Sequence, residues 1–408
     1  MRSRLAALSL ATALVPAFAM AQTTQPVEQS AANAPDQSPA FERQTRAPQS
    51  DIQPAISSET VAEGLPKLWG MEFLPDGRML ITAKQGTMHI VGTDGSAGPE
   101  IEGVPRVMSD GQGGLLDVAL SPDFASDNMV YISFAEPRGA EGNATSVARG
   151  TLEMGDGNEA TLNGVEVIFR QTPAYSGTKH FGSRLAFAPD GKLFITVGER
   201  SDTPIRDQAQ DLTSGLGKVF RVNPDGSVPQ DNPFAEHASI QPEIWSYGHR
   251  NLQSAIVNSA GELWTVEHGP RGGDELNKPQ PGINYGWPVI TYGIQYNGAP
   301  VGKGITAMEG MEQPVYYWDP VIGPAGMAEY TADAIPEWQG AYLVGGLVTK
   351  GLVILKVGDD GRVVTEDRVP LNQRIRDVKV GPDGAVYAVT EERGANKSTI
   401  VRLTKDGS

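Results

Sequence analysis

The side chains best suited to chemistry sit in a few polar, glycine-rich loops. The chain has five histidines and no cysteine. His180 stands in Lys179-His180-Phe181-Gly182-Ser183-Arg184, directly before an apolar strand pattern. His249 stands in Tyr247-Gly248-His249-Arg250-Asn251, and His268 in Glu267-His268-Gly269-Pro270-Arg271-Gly272-Gly273-Asp274-Glu275-Leu276-Asn277. His89 reads as an ordinary strand position and His237 as an ordinary loop residue. An imidazole, with an unperturbed pKa of about 6.5, suits proton transfer near neutral pH. The lack of cysteine excludes disulfides, thiolate metal sites, iron–sulfur clusters, covalent c-type haem and a cysteine nucleophile.

Two further clusters supply planar polar groups. Ser109-Asp110-Gly111-Gln112-Gly113-Gly114-Leu115 is a glycine-rich loop carrying an amide. It is no dinucleotide fingerprint, because no βαβ pattern surrounds it. Arg374-Ile375-Arg376-Asp377 puts two guanidiniums on one side of a strand. That arrangement suits an anion with several carboxylates, since each fork binds bidentately; a solvated edge or a salt bridge to Asp377 is the plainer reading of the same residues. Together with Arg250 and Asn251 these groups could line one central pocket. Gly269 to Asn277 also has the hard oxygen donors of a calcium loop, in its carbonyls, Asp274 and Glu275, without EF-hand spacing. No His-Glu-x-x-His, Gly-x-Ser-x-Gly or Walker pattern occurs.

The elements that must position these loops read as sheet. Leu74-Pro75-Asp76-Gly77, Ala188-Pro189-Asp190-Gly191, Asn258-Ser259-Ala260-Gly261 and Gly381-Pro382-Asp383-Gly384 each lead into a short apolar strand. Weaker copies stand at Ser121-Pro122-Asp123-Phe124 and Asn223-Pro224-Asp225-Gly226. Proline presets φ, aspartate bonds its own backbone and glycine takes the positive φ, so each is a hairpin turn. Recurrence of one turn in sheet after sheet signals radial repetition. The fold class is therefore all-β, with a pair of β-sandwiches as the alternative. The reading is a six-bladed β-propeller of four-stranded antiparallel blades, with long loops on one face. Residues 58–408 allow about 58 residues per blade, more than the ~40–45 of a WD40 blade.

Before this domain the chain is different. Residues 1–21 combine Arg2 and Arg4, an apolar run from Leu5 to Phe18 and the small residues Ala19-Met20-Ala21. These are the parts of a secretory signal, too short for a membrane span. They imply a cleaved peptide and a periplasmic or secreted protein with no membrane span. Residues 22–57, rich in Gln, Ala, Pro, Ser and Thr, read as a disordered linker with too little apolar surface to fold. Lys+Arg 33 against Asp+Glu 49 gives a net charge of −16, which disfavours a nucleic-acid partner.

Taken in order, the loops resemble the soluble quinoprotein sugar dehydrogenases, in particular the broad-specificity aldose sugar dehydrogenases of the glucose/sorbosone dehydrogenase type. The resemblance runs from about Glu59 to Leu403. It rests above all on Tyr247 to Asn251, Glu267 to Pro270, Asp274 to Asn277 and Asn284-Tyr285-Gly286-Trp287-Pro288. It implies a propeller that uses pyrroloquinoline quinone (PQQ) and calcium to oxidise aldoses. It implies His180 as general base, and Gln112, Arg250 and Asn251 on the cofactor. Arg374 and Arg376 would pair with the cofactor carboxylates, and Trp318 would wall the pocket. Lys350, close to Gly345-Gly346-Leu347, would stand in for a family lysine. The carbonyls of Gly269 and Pro270 would hold the catalytic calcium, and Glu275 and Tyr285 a second one. Lys179 replaces an acidic residue of the glucose-specific relatives, so glucose specificity is not implied. The sugar and the electron acceptor stay open, as does the choice between monomer and homodimer. A calcium-dependent lactonase and a non-catalytic binding propeller remain as alternatives on the same scaffold.

Overall fold

The computed structural model describes residues 25–392, 394–395 and 397–407. The expected signal peptide, residues 1–21, lies outside the described residues. Six antiparallel sheets form the described body. The first has strands Leu68–Phe73, Met79–Ala83 and Thr87–Val91. The second has Leu115–Leu120, Met129–Pro137, Asn143–Met154 and Ala160–Arg170. The third has Gly182–Phe187, Leu193–Val197, Lys218–Val222 and Ile244–Tyr247. The fourth has Leu252–Val257, Leu263–Glu267, Asp274–Asn277 and Tyr316–Trp318. The fifth has Pro324–Glu329, Tyr342–Gly346, Gly351–Val357 and Val363–Pro370. The sixth has Ile375–Val380, Val386–Thr390 and Lys397–Lys405, completed on its outer edge by Ile56–Pro66 from the start of the body.

The first strands of successive blades pack on one another around the ring, and that of the sixth returns to that of the first. This is the six-bladed propeller expected. The chain closes it by pairing its two ends, with Glu59 opposite Arg402 and an ion pair of 2.8 Å between them. The first blade departs from the expected four strands. Residues 97–101 follow its edge through an isolated bridge of Ala97 to Val91 and through Gly98 N to Ile90 O and Ile101 N to Met88 O, without forming a strand. Pro99 between them has no N–H to give to a ladder.

The turn glycines behave as their sequence demands. Gly77, Gly191, Gly261 and Gly384 all have positive φ, and each closes its turn by donating its N–H to the carbonyl three residues earlier. They join the first and second strands of the first, third, fourth and sixth blades. Apolar clusters fill the spaces between adjacent blades, such as Phe169, Ile195 and Phe220 between the second and third.

The axis of the ring is polar. Arg184 of the third blade ion-pairs with Asp117 of the second at 2.9 Å and with Asp377 of the sixth at 3.0 Å. It also donates to Gln253 O of the fourth blade and lies over the Trp69 ring of the first, 4.2 Å from its centroid. The two carboxylates reach further, accepting from Leu185 N and Met71 N. One guanidinium thus ties five blades together beneath the loops that carry the site.

Residues 25–55, expected from composition as part of a disordered linker, are instead laid along the outer edges of the fourth and fifth blades. Tyr317 N donates to Gln44 O, Ala47 N to Tyr316 Oη, and Glu366 N to Pro48 O. Arg46 holds the carbonyls of Glu28 and Asp319, and Glu28 pairs with Arg368 at 2.8 Å. The segment is poor in apolar surface, but what it satisfies is unpaired strand edge, a driving force that composition does not register. Among the described residues no helix is long and apolar enough to cross a membrane.

Candidate active site

Loops from several blades meet over one open cavity of about 750 Å³. The first blade contributes Lys67 and Lys84, the loop before the second Gly111 and Gln112, and the third Phe181 and Gly182. The fourth contributes Asn251, Gln253 and His268, the fifth Leu347, and the sixth Arg374, Arg376 and Glu391. The convergence expected of Gln112, Asn251, Arg374 and Arg376 is therefore found, along with residues the sequence had not singled out.

His180 sits beside this cavity and is 6 % exposed. Its Nδ1 lies 2.7 Å from Glu199 Oε1, and its backbone N–H donates to Gln112 Oε1 at 2.8 Å. Glu199 is itself buried, with Oε2 accepting from Ser201 N at 2.7 Å. The contact assigns the ring nitrogens: Nδ1 is committed to the carboxylate, leaving Nε2 for other chemistry. Burial lowers the His180 pKa below its usual value and the Arg250 charge adds to this, while Glu199 opposes both.

The backbone here is held in unusual conformations. His180, Ser183, Arg200 and Ser201 have φ of 47°, 89°, 72° and 73°. Such left-handed residues cost about 1–3 kcal/mol each and persist where surrounding contacts over-determine them. Arg200 supplies many of those contacts. Fully buried, it donates to the carbonyls of Asn143, Gly177 and Lys179 and lies 4.0 Å from the Phe181 ring centroid. Gly198 is obligatory by contact, since a Cβ there would meet His180 O at 2.2 Å.

The cationic side of the cavity is organised by Glu391. Arg376 Nη2 approaches Glu391 Oε2 at 2.5 Å, while Lys67 and Arg374 lie 3.6 and 3.7 Å from Oε1. Burial raises its pKa, but Arg376, Lys67 and Arg374 together outweigh this and hold it down at about 2. Asp377, the plainer partner offered by the sequence, instead serves Arg184.

A second, smaller cavity of about 230 Å³ adjoins the first and is lined by Arg250, Glu267, Gly269, Glu275, Tyr285 and Thr291 among others. His249 lies between Ser246 Oγ and Glu267 Oε1, both at 2.9 Å, and stacks on Tyr285. Arg250 donates to the carbonyls of His268 and Gly269, and its buried Nε has no hydrogen-bond partner among the described residues. His268 is pushed down to about 3 by burial and so stays neutral, 2.6 Å from Pro324 O. Burial pushes Asp274 up to about 7. Glu275 is pushed well above the usual carboxylate range, first by burial and then by the Glu267 charge. A wall of crowded acidic groups and carbonyls, with no sulfur donor, fits a hard cation. No ready-made set of three His, Asp or Glu ligands occurs among the described residues, so any cation there takes carbonyl oxygens as well.

Two residues expected at the cofactor do not line the larger cavity. Trp318 is 2 % exposed inside the apolar cluster between the fourth and fifth blades, edge-on to Tyr316 at 5.3 Å. Its position on an outer strand keeps it from either cavity. Lys350 is exposed and lines a neighbouring groove that shares Arg374 and Glu391 with the larger cavity. Four contributing residues were missed. Glu199 follows the second strand of the third blade and Glu391 the second strand of the sixth. Lys67 and Lys84 flank strands of the first. Their common signal is a charged residue just beyond a strand end on the loop face.

The sequence profile described as glucose/sorbosone dehydrogenase matches residues 65–402. The chain belongs to the glucose/sorbosone dehydrogenase family. It is an oxidoreductase. It is 43 % identical over 348 residues to the aldose sugar dehydrogenase YliI of Escherichia coli K12, covering 83 % of this chain and 90 % of that protein. The apo structure of the soluble aldose sugar dehydrogenase from Escherichia coli superposes with a TM-score of 0.80 at 39 % identity, covering 86 % of this chain and all of the other. The PQQ-bound aldose sugar dehydrogenase of Streptomyces coelicolor superposes with a TM-score of 0.68 at 29 % identity, with the same coverage.

Proposed function

We propose that this family member oxidises aldose sugars at C1 to lactones, with PQQ and calcium as cofactors. The observation that carries the reading is the cavity itself, where Arg374, Arg376, Lys67 and Lys84 face a space closed on another side by Gln112 and Asn251. Four cations against the single carboxylate of Glu391 suit a multiply charged planar anion. The buried, unpartnered Nε of Arg250 supports it as well. When bound, PQQ supplies the hydride acceptor that no side chain can provide, and calcium a Lewis acid.

The protein's own part follows from its residues. Gln112, Arg250, Asn251, Arg374 and Arg376 hold the cofactor. The carbonyls of Gly269 and Pro270 hold calcium, with Glu275 and Tyr285 available to a second ion. His180, oriented by Glu199, takes the proton of the sugar C1 hydroxyl at Nε2. Its lowered pKa keeps it unprotonated, and so competent as a base, at neutral pH. The secretory signal expected at residues 1–21 supports an activity in the periplasm or outside the cell.

The test is reconstitution of apo protein with PQQ and calcium, followed by an aldose panel and an artificial dye. Dye reduction that requires both additions is the expected result. Lactone hydrolysis without quinone would replace the proposal with a hydrolase, and silence in both assays with a binding propeller.

A further inference from the structure

The first blade presents two lysines to the cavity from adjacent strand ends. Lys67 precedes Leu68–Phe73, Lys84 follows Met79–Ala83, and Lys84 N donates to Lys67 O at 2.8 Å. Like charges so placed across a strand pair repel and are destabilising. Lys84 is partly withdrawn from water, and its pKa is lowered by burial first and then by the charges of Lys67 and Arg376, with Glu391 and Asp110 opposing. The carboxylate nearest to Lys67 is shared. Lys67 is 3.6 Å from Glu391, which also serves both arginines, and Lys84 Nζ donates to the carbonyl of Gly111. One shared carboxylate and one carbonyl leave most of the donor capacity of these two ammonium groups for a ligand.

We propose that Lys67 and Lys84 are anion-binding residues of this cavity, holding a carboxylate of the bound cofactor across from Arg374 and Arg376. The assignment rests on the PQQ reading and deepens it, since it makes the first blade, and not Lys350 of the fifth, the source of the lysine contacts. Lys84 also fixes the Gly111 carbonyl, so the residue that meets the ligand steadies the loop bearing Gln112.

The experiment is calorimetric titration of apo protein with PQQ in the presence of calcium, at two salt concentrations. Lys84→Met and Lys67→Met are compared with Lys303→Met, an exposed lysine not lining the cavity. Loss of one charge-assisted contact should weaken PQQ binding about tenfold for Lys84→Met or Lys67→Met. It should also flatten the salt dependence, while Lys303→Met matches the parent protein. Retained circular dichroism and melting temperature show that each variant is folded, and Lys84→Arg should restore most of the affinity. Tight PQQ binding that both Met variants leave unchanged overturns this assignment, while the binding itself upholds the cofactor reading on Arg374 and Arg376 alone. Absence of PQQ binding by the parent protein overturns both.

Discussion

Glu199 Oε1 lies 2.7 Å from His180 Nδ1, joining two loops of the third blade whose backbones both enter the left-handed region. The carboxylate sets the direction of the ring and opposes the fall in its pKa caused by burial and by Arg250. Removing the base should cost about 10²–10⁴ in turnover, so His180→Asn should retain PQQ and lose nearly all dye reduction. Glu199→Gln is the more informative change. It removes a group that raises the imidazole pKa, so the acid limb of kcat/KM should move to lower pH as the maximal rate falls. An acid limb that stays in place would detach His180 from the proton transfer.

Glu391 gives the cationic cluster a pH signature. Its folded pKa, about 2, is below the ordinary value of 4.5 because Arg376, Lys67 and Arg374 outweigh the effect of burial. A carboxyl depressed on folding adds stability that is complete above its unfolded pKa and is lost as pH falls through the folded one. Glu391→Gln should therefore unfold at lower denaturant than the parent protein at pH 6. The gap should narrow between about pH 4.5 and pH 2. A gap independent of pH would mean that the substitution acts through packing.

The turns and loops of this chain were legible to different degrees. Pro-Asp-Gly turns fix their own φ values, so the hairpins at Gly77, Gly191 and Gly384 follow from local chemistry alone. Their recurrence revealed the ring. The paired arginines were legible for the same reason, because Arg374 and Arg376 share a strand face by period two. What stayed hidden depends on contacts between distant segments. The family resemblance makes Trp318 a pocket wall, yet it faces the cluster that includes Tyr316, Ile322 and Met327. Glu199 and Lys84 look like ordinary loop charges until the ring brings them to His180 and Arg376. Residues 25–55 carry almost no apolar pattern and are placed by strand edges far along the chain.

The acidic wall around Glu275 predicts a cation effect independent of turnover. Glu267, Asp274 and Glu275 are crowded together, with the Glu275 carboxyl pushed up by burial and by Glu267. A divalent ion there would neutralise charge that the fold otherwise carries at a cost. Calcium in large excess over its Kd should stabilise the protein by about 2.7 kcal/mol at 100 Kd, a rise of a few °C in Tm. Magnesium, which demands a tighter octahedral site, should do less. Glu275→Gln should reduce the calcium shift without lowering the Tm measured in chelator. A calcium shift unaltered by this change would place the ion elsewhere.

Arg184 is where the ring itself can be tested. Its guanidinium separates Asp117 and Asp377, and all three side chains are buried. Burial raises the Asp117 pKa, and Arg184 is the main group opposing that effect. Removing one partner of a buried ionic group leaves uncompensated charge and costs about 3–5 kcal/mol. Arg184→Met should therefore shift the guanidinium chloride midpoint strongly downward. Adding Asp377→Asn should recover part of the loss, because one stranded carboxylate is gone. The recovery cannot be complete, since Asp377 Oδ2 also accepts from Met71 N and an amide is the weaker acceptor. If Arg184→Met unfolds at the parent midpoint, the blades are held by their apolar interfaces alone, and the axial network is incidental to the ring.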